Sequence, residues 1–560
     1  MVTPTAAQQR VRDHEGLGLL VVAPAGCGKT EALGFRVAGL LERGQVVQPR
    51  RVLVITFSNR ARDNIRDRLK DYVSANVMRD SVSVANFHGL SARLIRAHGQ
   101  VVGIDPNLIL PESDWVGEEC QRRGLDWNPR RAVEDLLRRT KQEAADDATV
   151  EQALIADGNP DALDIEHQRI AEGRLTYDDL PRLAELILAN DTVADLYRNH
   201  FSAVVVDEFQ DLTPQQLRIV NRIGFGKTTF AGDLAQGIYG FAGAVPAEVD
   251  RQVRAECADV IEFAESHRSS PAVLSMVNAL SGLTGGKDLT SAVPDSWPGG
   301  GLAAGIKFNS AEAEADFAIK FAQTILGKIS SQRIGVISRT ANRRRFVDAA
   351  ASSSGLPVHR WDDGVLDTDT ARIVKSMLTR LRPADLLAAP DPVQFLRDLA
   401  DFDSIIEPDI RKNVVDALGW CLDRVREGLD AKRIRARIKI GDETTLLSAP
   451  GLHLLSGHVG KGQQFDWVVV VGAEDGVIPD FRATTPETKL EEARVLSVMI
   501  SRARHGVVVT CSRQVPTLAG RVRSQEHSPF FKELKAASFT NLAGVESFFD
   551  SLNWGAVEAR

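Results

Sequence analysis

The chain has 560 residues, 43% of them hydrophobic and 26% charged, and carries a net charge of −7. That length exceeds what one core supports and implies roughly three to four folding units, while the balanced composition excludes a disordered or fibrous chain. No apolar run approaches the ~20 residues of a membrane helix, and the negative net charge excludes a protein that binds nucleic acid with its whole surface, so any such site is a local groove with its own basic and aromatic lining.

The N-terminal apolar stretch Gly16–Ala23 follows Asp13 and Glu15, unlike the basic lead of a signal peptide. The chain therefore reads as cytoplasmic, with no membrane partner. Strand candidates then follow in order at Leu19–Val22, Val52–Thr56, Ser83–Ala85, Ala203–Val206 and Thr229–Ala231, and again at Gly335–Ser338, Leu452–Ser456, Val468–Val471 and Val507–Thr510. Continuous apolar strands interleaved with helices predict an α/β fold with parallel sheets covered on both faces. The pattern occurs twice, on either side of a Pro/Gly-rich join at Gly282–Gly301. Two charged, helical segments interrupt it, at about 103–175 and 366–443. In the first, Val133, Leu136 and Leu137 supply an apolar stripe within Arg130–Glu143. The expected division is a first sheet domain at 1–102 and 176–264, a helical insertion at 103–175, a second sheet domain at 265–365 and 444–560, and a short helical insertion at 366–443. The five cysteines (Cys27, Cys120, Cys257, Cys421 and Cys511) are scattered, which argues against a disulfide framework, a zinc site or an iron–sulfur cluster.

The strand Leu19–Val22 runs into Ala23-Pro24-Ala25-Gly26-Cys27-Gly28-Lys29-Thr30, a Walker A loop with alanine at the usual first glycine. Gly26 and Gly28 let backbone N–H groups turn inward around a polyphosphate, and the helix N-terminus behind them favours negative charge. Lys29 supplies a point charge to the β- and γ-phosphates, and the Thr30 hydroxyl suits Mg²⁺. Cys27 reads either as an oxidisable thiol or as a small residue tolerated in the loop. The strand Ala203–Val206 delivers Asp207-Glu208-Phe209-Gln210-Asp211. Asp207 at a strand end beside a phosphate loop suits Mg²⁺, and Glu208 is placed to orient or deprotonate the attacking water. ATP and Mg²⁺ are the cofactors expected.

These two motifs together resemble the UvrD/PcrA/Rep group of superfamily-one helicases, and the resemblance extends along nearly the whole chain. It implies two RecA-like domains with helical insertions in each. Gln8-Gln9-Arg10 resembles the family's adenine-reading glutamine, with Gln9 in the better register. Thr56-Phe57-Ser58-Asn59-Arg60-Ala61 resembles a segment that lies along single-stranded DNA, which implies DNA-side roles for Phe57 and Asn59. Asn86-Phe87-His88-Gly89 is similar to another DNA-side element, through His88. Gly232-Asp233-Leu234-Ala235-Gln236-Gly237-Ile238-Tyr239-Gly240-Phe241 resembles the motif coupling ATP to DNA. There Gln236 would sense the γ-phosphate while Tyr239 and Phe241 stack on bases. Glu265-Ser266-His267-Arg268-Ser269 is similar to the family's Asn-Tyr-Arg-Ser, implying a γ-phosphate contact for Arg268. The run His458–Phe465 resembles a motif that puts His458 on the DNA side and Gly462 and Gln464 on the ATP side. Ser501-Arg502-Ala503 resembles the last motif, with Arg502 as arginine finger.

The chain departs from the family at four places. Ala242 stands where an arginine links the ATP cleft to DNA, and His267 replaces a tyrosine that stacks on adenine. Gln464 replaces a glutamate, and Ser497 replaces a tyrosine. The insertion at 366–443 is also much shorter than the family's second accessory domain. The expected function is an ATP-dependent single-stranded DNA translocase or helicase, 3′→5′ by resemblance, on single strands or 3′-tailed duplex. The alternative is a DNA-responsive ATPase switch or regulatory subunit, partnered by a nuclease or repair factor. Stacking surfaces read DNA and RNA alike.

Overall fold

Each predicted apolar run becomes a strand with both faces covered, which fixes where the loops between them can go. The computed structural model describes residues 3–57, 59–111, 115–240, 243–361, 365–366, 368–405, 408–440, 449–457, 463–517, 520–535, 539 and 541–560.

The first sheet is formed by β1 (Leu19–Val22), β2 (Arg51–Thr56), β3 (Val82–Asn86), β4 (Phe201–Asp207), β5 (Thr228–Gly232) and β6 (Val260–Glu262), all parallel, in the order β3-β2-β4-β5-β1-β6. Side chains alternate between two cores. Leu20, Leu53, Ile55, Val204, Val206 and Phe230 face the helices Phe87–His98 and Asp179–Ala189. Leu19, Val21, Val52, Val54, Val205 and Ala231 share a core with Leu33, Val37 and Leu40 of the helix Lys29–Glu42. The order β4-β5-β1 sets three strand exits side by side, where ligands of open α/β sheets bind.

A short parallel pair, β7 (Glu265–Ser266) and β8 (Thr290–Ser291), lies in the join between the sheets. The second sheet contains β9 (Leu302–Ser310), β10 (Arg333–Ser338) and β11 (Val358–Arg360). After the neck strands β12 (Val365–Leu366) and β13 (Lys439–Ile440), which pair with each other, come β14 (Gly451–Ser456), β15 (Phe465–Val471), β16 (Ala503–Pro516) and β17 (Val522–Ser524). Its order is β11-β14-β10-β15-β16-β17, with β9 pairing in parallel along β16 and β17 antiparallel. The strands β6, β9, β11 and β17 and the two-residue strands β7, β8, β12 and β13 carry no counterpart among the expected ones. β9 begins directly after Gly299–Gly301 and so hides behind the glycine-rich join.

The helices Trp115–Arg122, Trp127–Thr140, Asp147–Asp157 and Pro160–Ala171 fill the first interrupting segment, and Thr368–Arg380, Pro383–Ala388, Pro392–Leu399, Pro408–Arg426 and Ala431–Arg437 the second. Each set has its own small core. The first is also pinned by buried charge. Lys141 Nζ lies 2.7 Å from Glu166 and 3.1 Å from Asp179, and Arg182 bonds Asp179 at 2.8 Å and Asp147 at 2.7 Å. Lys141, Arg169 and Arg182 outweigh the burial of Asp179 and hold its carboxyl well below the usual range. Among the described residues no helix is long and apolar enough to cross a membrane.

Candidate functional site

The phosphate loop leaves β1 with the Ala23 amide donating to Gly232 O at 2.9 Å, so it begins against the exit of β5. Gly26 and Gly28 have φ of +84° and +81°, which only glycine adopts without strain. Gly28 opens the helix Lys29–Glu42, aiming unpaired amides at the cradle. A side chain at Gly28 would come 2.5 Å from Gln8 Nε2, so the loop and the N-terminal helix close on each other. Cys27 is buried, and burial first, then Asp233, pushes its thiol up to about 12. That suppresses the thiolate which oxidation needs and leaves the small-residue reading.

β4 ends at Asp207, and Lys29 Nζ reaches both carboxylates that follow from it, at 3.6 Å from Asp207 and 2.5 Å from Glu208. Burial alone would depress the Lys29 ammonium, but Glu208 and Asp207 overcome it and hold it raised. Burial pushes the Asp207 carboxyl up to about 6, against the pull of Lys29. Asp207 Oδ1 is buried with no hydrogen-bond donor among the described residues. An acceptor of that kind, with the half-buried hydroxyl-bearing Thr30 next in sequence to Lys29, fits a hard cation. Among the described residues no cluster of three or more His, Cys, Asp or Glu is placed to hold a metal ion.

Gln236 follows β5 in a short 3₁₀ turn, Leu234–Gln236, where its Nε2 donates to Asp233 Oδ2 at 3.0 Å. Ile238, fully buried, packs in the core of the second sheet with Val273, Met276 and Met499. The Gly240 amide donates to Glu491 Oε1 at 2.8 Å, on the helix Pro486–Ile500. The peptide leaving β5 is thus anchored in the second lobe.

The segment 266–270 spans from the loop to that lobe. The His267 amide donates to Gly26 O at 3.1 Å, and a Cβ on Gly26 would lie 2.5 Å from Arg268 Cβ. Two residues on, Ser269 Oγ donates to Ala503 O at 2.7 Å, next to Arg502. Arg502 is 2% exposed and donates through Nη2 to Gly457 O at 2.7 Å. Burial lowers both Arg268 and Arg502 to about 10, which leaves both charged at neutral pH. Lys29, Asp207, Glu208, Gln236 and Arg268 are thus drawn around one loop, with Arg502 joined through Ser269. His267 is exposed and Gln464 half-buried.

The first helix places its two glutamines differently. Gln9 bonds Asp13 at 2.6 Å near the surface, whereas Gln8 is buried and donates to Gly28 O at 3.2 Å. Thr5 and Gln8 form a capping box, and that Thr-x-x-Gln spacing is the signal that selects Gln8. Asn59, 4% exposed, accepts from Asn86 Nδ2 at 2.8 Å and so ties the start of the helix Asn59–Leu69 to the end of β3.

The other strand-facing aromatics gather in two places. Phe57 and Tyr239 stack at 5.0 Å between centroids and 18° between planes. His88 tilts against Tyr177 at 5.2 Å, and both line a cavity of about 510 Å³ with Trp115, Arg138, Lys141 and Gln215. Tyr177 was not among the expected site residues, since one tyrosine in a charged segment gives no pattern. Phe241, Ala242, His458 and Gly462 lie outside the described residues.

Comparison with known proteins agrees with this geometry. Residues 5–253 match the family model of the UvrD/REP helicase N-terminal domain, and 434–514 that of the UvrD-like helicase C-terminal domain. A relative named ATP-dependent DNA helicase UvrD2, from Mycobacterium tuberculosis, is 27% identical over 528 residues, covering 86% of this chain and 75% of its own. One named ATP-dependent DNA helicase PcrA, from Leuconostoc citreum, is 31% identical over 291 residues, which covers 49% of this chain and 38% of the relative. One named ATP-dependent DNA helicase UvrD1, from Mycobacterium leprae, is 26% identical over 385 residues, or 62% of this chain and 48% of its own. The chain thus spans less than half the length of two of these relatives. The first family model includes the loop at Lys29 and the carboxylates at Asp207 and Glu208, the second includes Arg502, and the chain belongs to the UvrD-like helicase family.

Proposed function

We propose that the chain hydrolyses ATP in the cleft between its two sheets and uses the cycle to move along single-stranded DNA, in the 3′→5′ direction. The observation that carries this reading is the segment 266–270, which touches the phosphate loop through His267 and the Arg502 strand through Ser269. Cations from both lobes then surround one phosphate site, and closure of the cleft completes the charge clamp. Lys29 and Arg268 bind the phosphates, Glu208 orients the attacking water and takes its proton, and Gln236 faces the γ-phosphate. Mg²⁺ would be held by Thr30 and Asp207, and when bound it neutralises charge developing on the phosphate oxygens. Phe57 and Tyr239 offer flat faces to bases, each worth ~1–3 kcal/mol when stacked.

The test compares ATP hydrolysis with and without single-stranded DNA for the wild type, Lys29→Ala and Glu208→Gln. Turnover stimulated many-fold by DNA and lost in both variants supports the motor. Turnover indifferent to DNA favours a second reading, an ATPase switch or regulatory subunit working with a nuclease or repair factor. The compact second insertion, five helices between Thr368 and Arg437, is what favours that alternative.

A further inference from the structure

We infer that Gln210 is a positioning residue, one amide that holds the water-activating carboxylate Glu208 and ties it to the peptide bearing Asp233 and Gln236. The inference rests on the hydrolytic reading above and extends it to a residue with no role there. Gln210 is fully buried. Its Nε2 donates to Glu208 Oε2 at 2.6 Å, and its Oε1 accepts from the Asp233 amide at 2.9 Å. The second bond fixes the first. A backbone N–H can only donate, so the amide oxygen must face Asp233 and the NH₂ must face Glu208.

Glu208 needs such a hold. Its backbone lies in the left-handed region, with φ of +57°, where a non-glycine residue stays only if its surroundings fix it. Its carboxylate also meets Lys29 at 2.5 Å. Phosphates compete for that ammonium once nucleotide enters, whereas the Gln210 amide is an uncharged donor that phosphate does not attract in the same way. Room for the amide is left at the end of β5, since a Cβ on Gly232 would strike Gln210 Oε1 and lie 2.6 Å from the Phe209 ring.

The other end of the connection reads the phosphate side. Asp233 accepts from the Ala235 amide at 3.1 Å and from Gln236 Nε2 at 3.0 Å, and two residues beyond, Ile238 enters the second core. A shift of that peptide therefore moves the Asp233 amide, then Gln210, then the carboxylate. Gln210 acts through Glu208 and touches no substrate.

Gln210→Met removes both bonds at similar volume. Gln210→Glu keeps an acceptor for Asp233 and removes the amide donor to Glu208. Each full-length variant is assayed for kcat and KM with and without single-stranded DNA, alongside binding of a fluorescent ATP analogue and thermal melting. Positioning predicts a kcat loss of about 10- to 100-fold, with KM and analogue affinity within about twofold of wild type. Gln210→Glu serves as the second variant if Gln210→Met fails to fold. Wild-type kcat in either folded variant, or a loss confined to KM or melting temperature, overturns the inference while the hydrolytic reading stands. A wild type no faster than Lys29→Ala overturns both.

Discussion

Replacing Arg502 tests the cleft most directly, because this side chain enters from the second lobe and is almost wholly enclosed. It is 2% exposed, anchored through Nη2 to Gly457 O at 2.7 Å, and lowered only to about 10 by burial, so it is a fixed cation at neutral pH. An arginine acting on transition-state charge is worth about 10³–10⁵ in rate, or about 4–7 kcal/mol. Arg502→Ala should lower DNA-stimulated kcat by that factor, with KM for ATP within a few fold, because the contact forms in the closed state. Arg502→Lys should fall nearly as far. The lysine ammonium is a compact point charge without the planar fork by which a guanidinium bonds Gly457 O through one nitrogen and faces a phosphate with the others. Removing the donor to Gly457 also leaves a buried carbonyl short of a partner, at about 1–3 kcal/mol, so melting is measured in parallel. Steady-state hydrolysis on saturating single-stranded DNA gives the answer. A kcat loss below ten-fold in Arg502→Ala, with the fold intact, would refute the view that Arg502 completes the clamp.

Other outcomes follow from the same geometry. Gln8→Ala should weaken ATP binding about ten-fold because it loosens the loop at Gly28, while Gln9→Ala leaves KM unchanged; titration with an ATP analogue separates the two. Ile238→Ala should retain most basal hydrolysis but lose most of its stimulation by DNA, as the peptide carrying Gln236 loses its anchor; unchanged stimulation would show that the signal takes another route. Lys141→Met, in the buried cluster with Glu166 and Asp179, should destabilise the first insertion by about 3–5 kcal/mol, measured by denaturant unfolding. Asp179 is held well below the usual carboxyl range, so its contribution is complete above about pH 4 and is lost as pH falls from there toward the folded value. Acid titration of wild type and Asp179→Asn should therefore converge only on the acid side of that pH.

The central strands were legible because a parallel strand covered on both faces is a nearly unbroken apolar run, as in Leu19–Val22 and Ala203–Val206. β9 was not, since its Leu-Ala-Ala-Gly opening continues the small-residue character of the join before it. Lys29, Asp207 and Glu208 could be read because phosphate chemistry demands those residue types at strand exits. Which of Gln8 and Gln9 turns inward toward Gly28 was legible in the helix cap at Thr5. The bond from Asn86 to Asn59 joins residues 27 apart, a pairing visible only once β2 and β3 lie side by side. Ile238 and Gln210 belong to the same class: both gain meaning from contacts between strand exits or between lobes, which no local pattern encodes.

The anchoring of Ile238 also sets a ruler across the cleft. From Gly232, at the exit of β5, six residues lead to Ile238, and a chain of that length reaches about 20 Å when fully extended. Part of that reach is already taken up in the turn Leu234–Gln236. The lobes can therefore separate only as far as this slack allows before the turn unwinds and Gln236 is drawn out of register with the phosphates. On the proposed motor reading, the span of one short peptide would then cap the stride of a single cycle while the nucleotide site stays assembled.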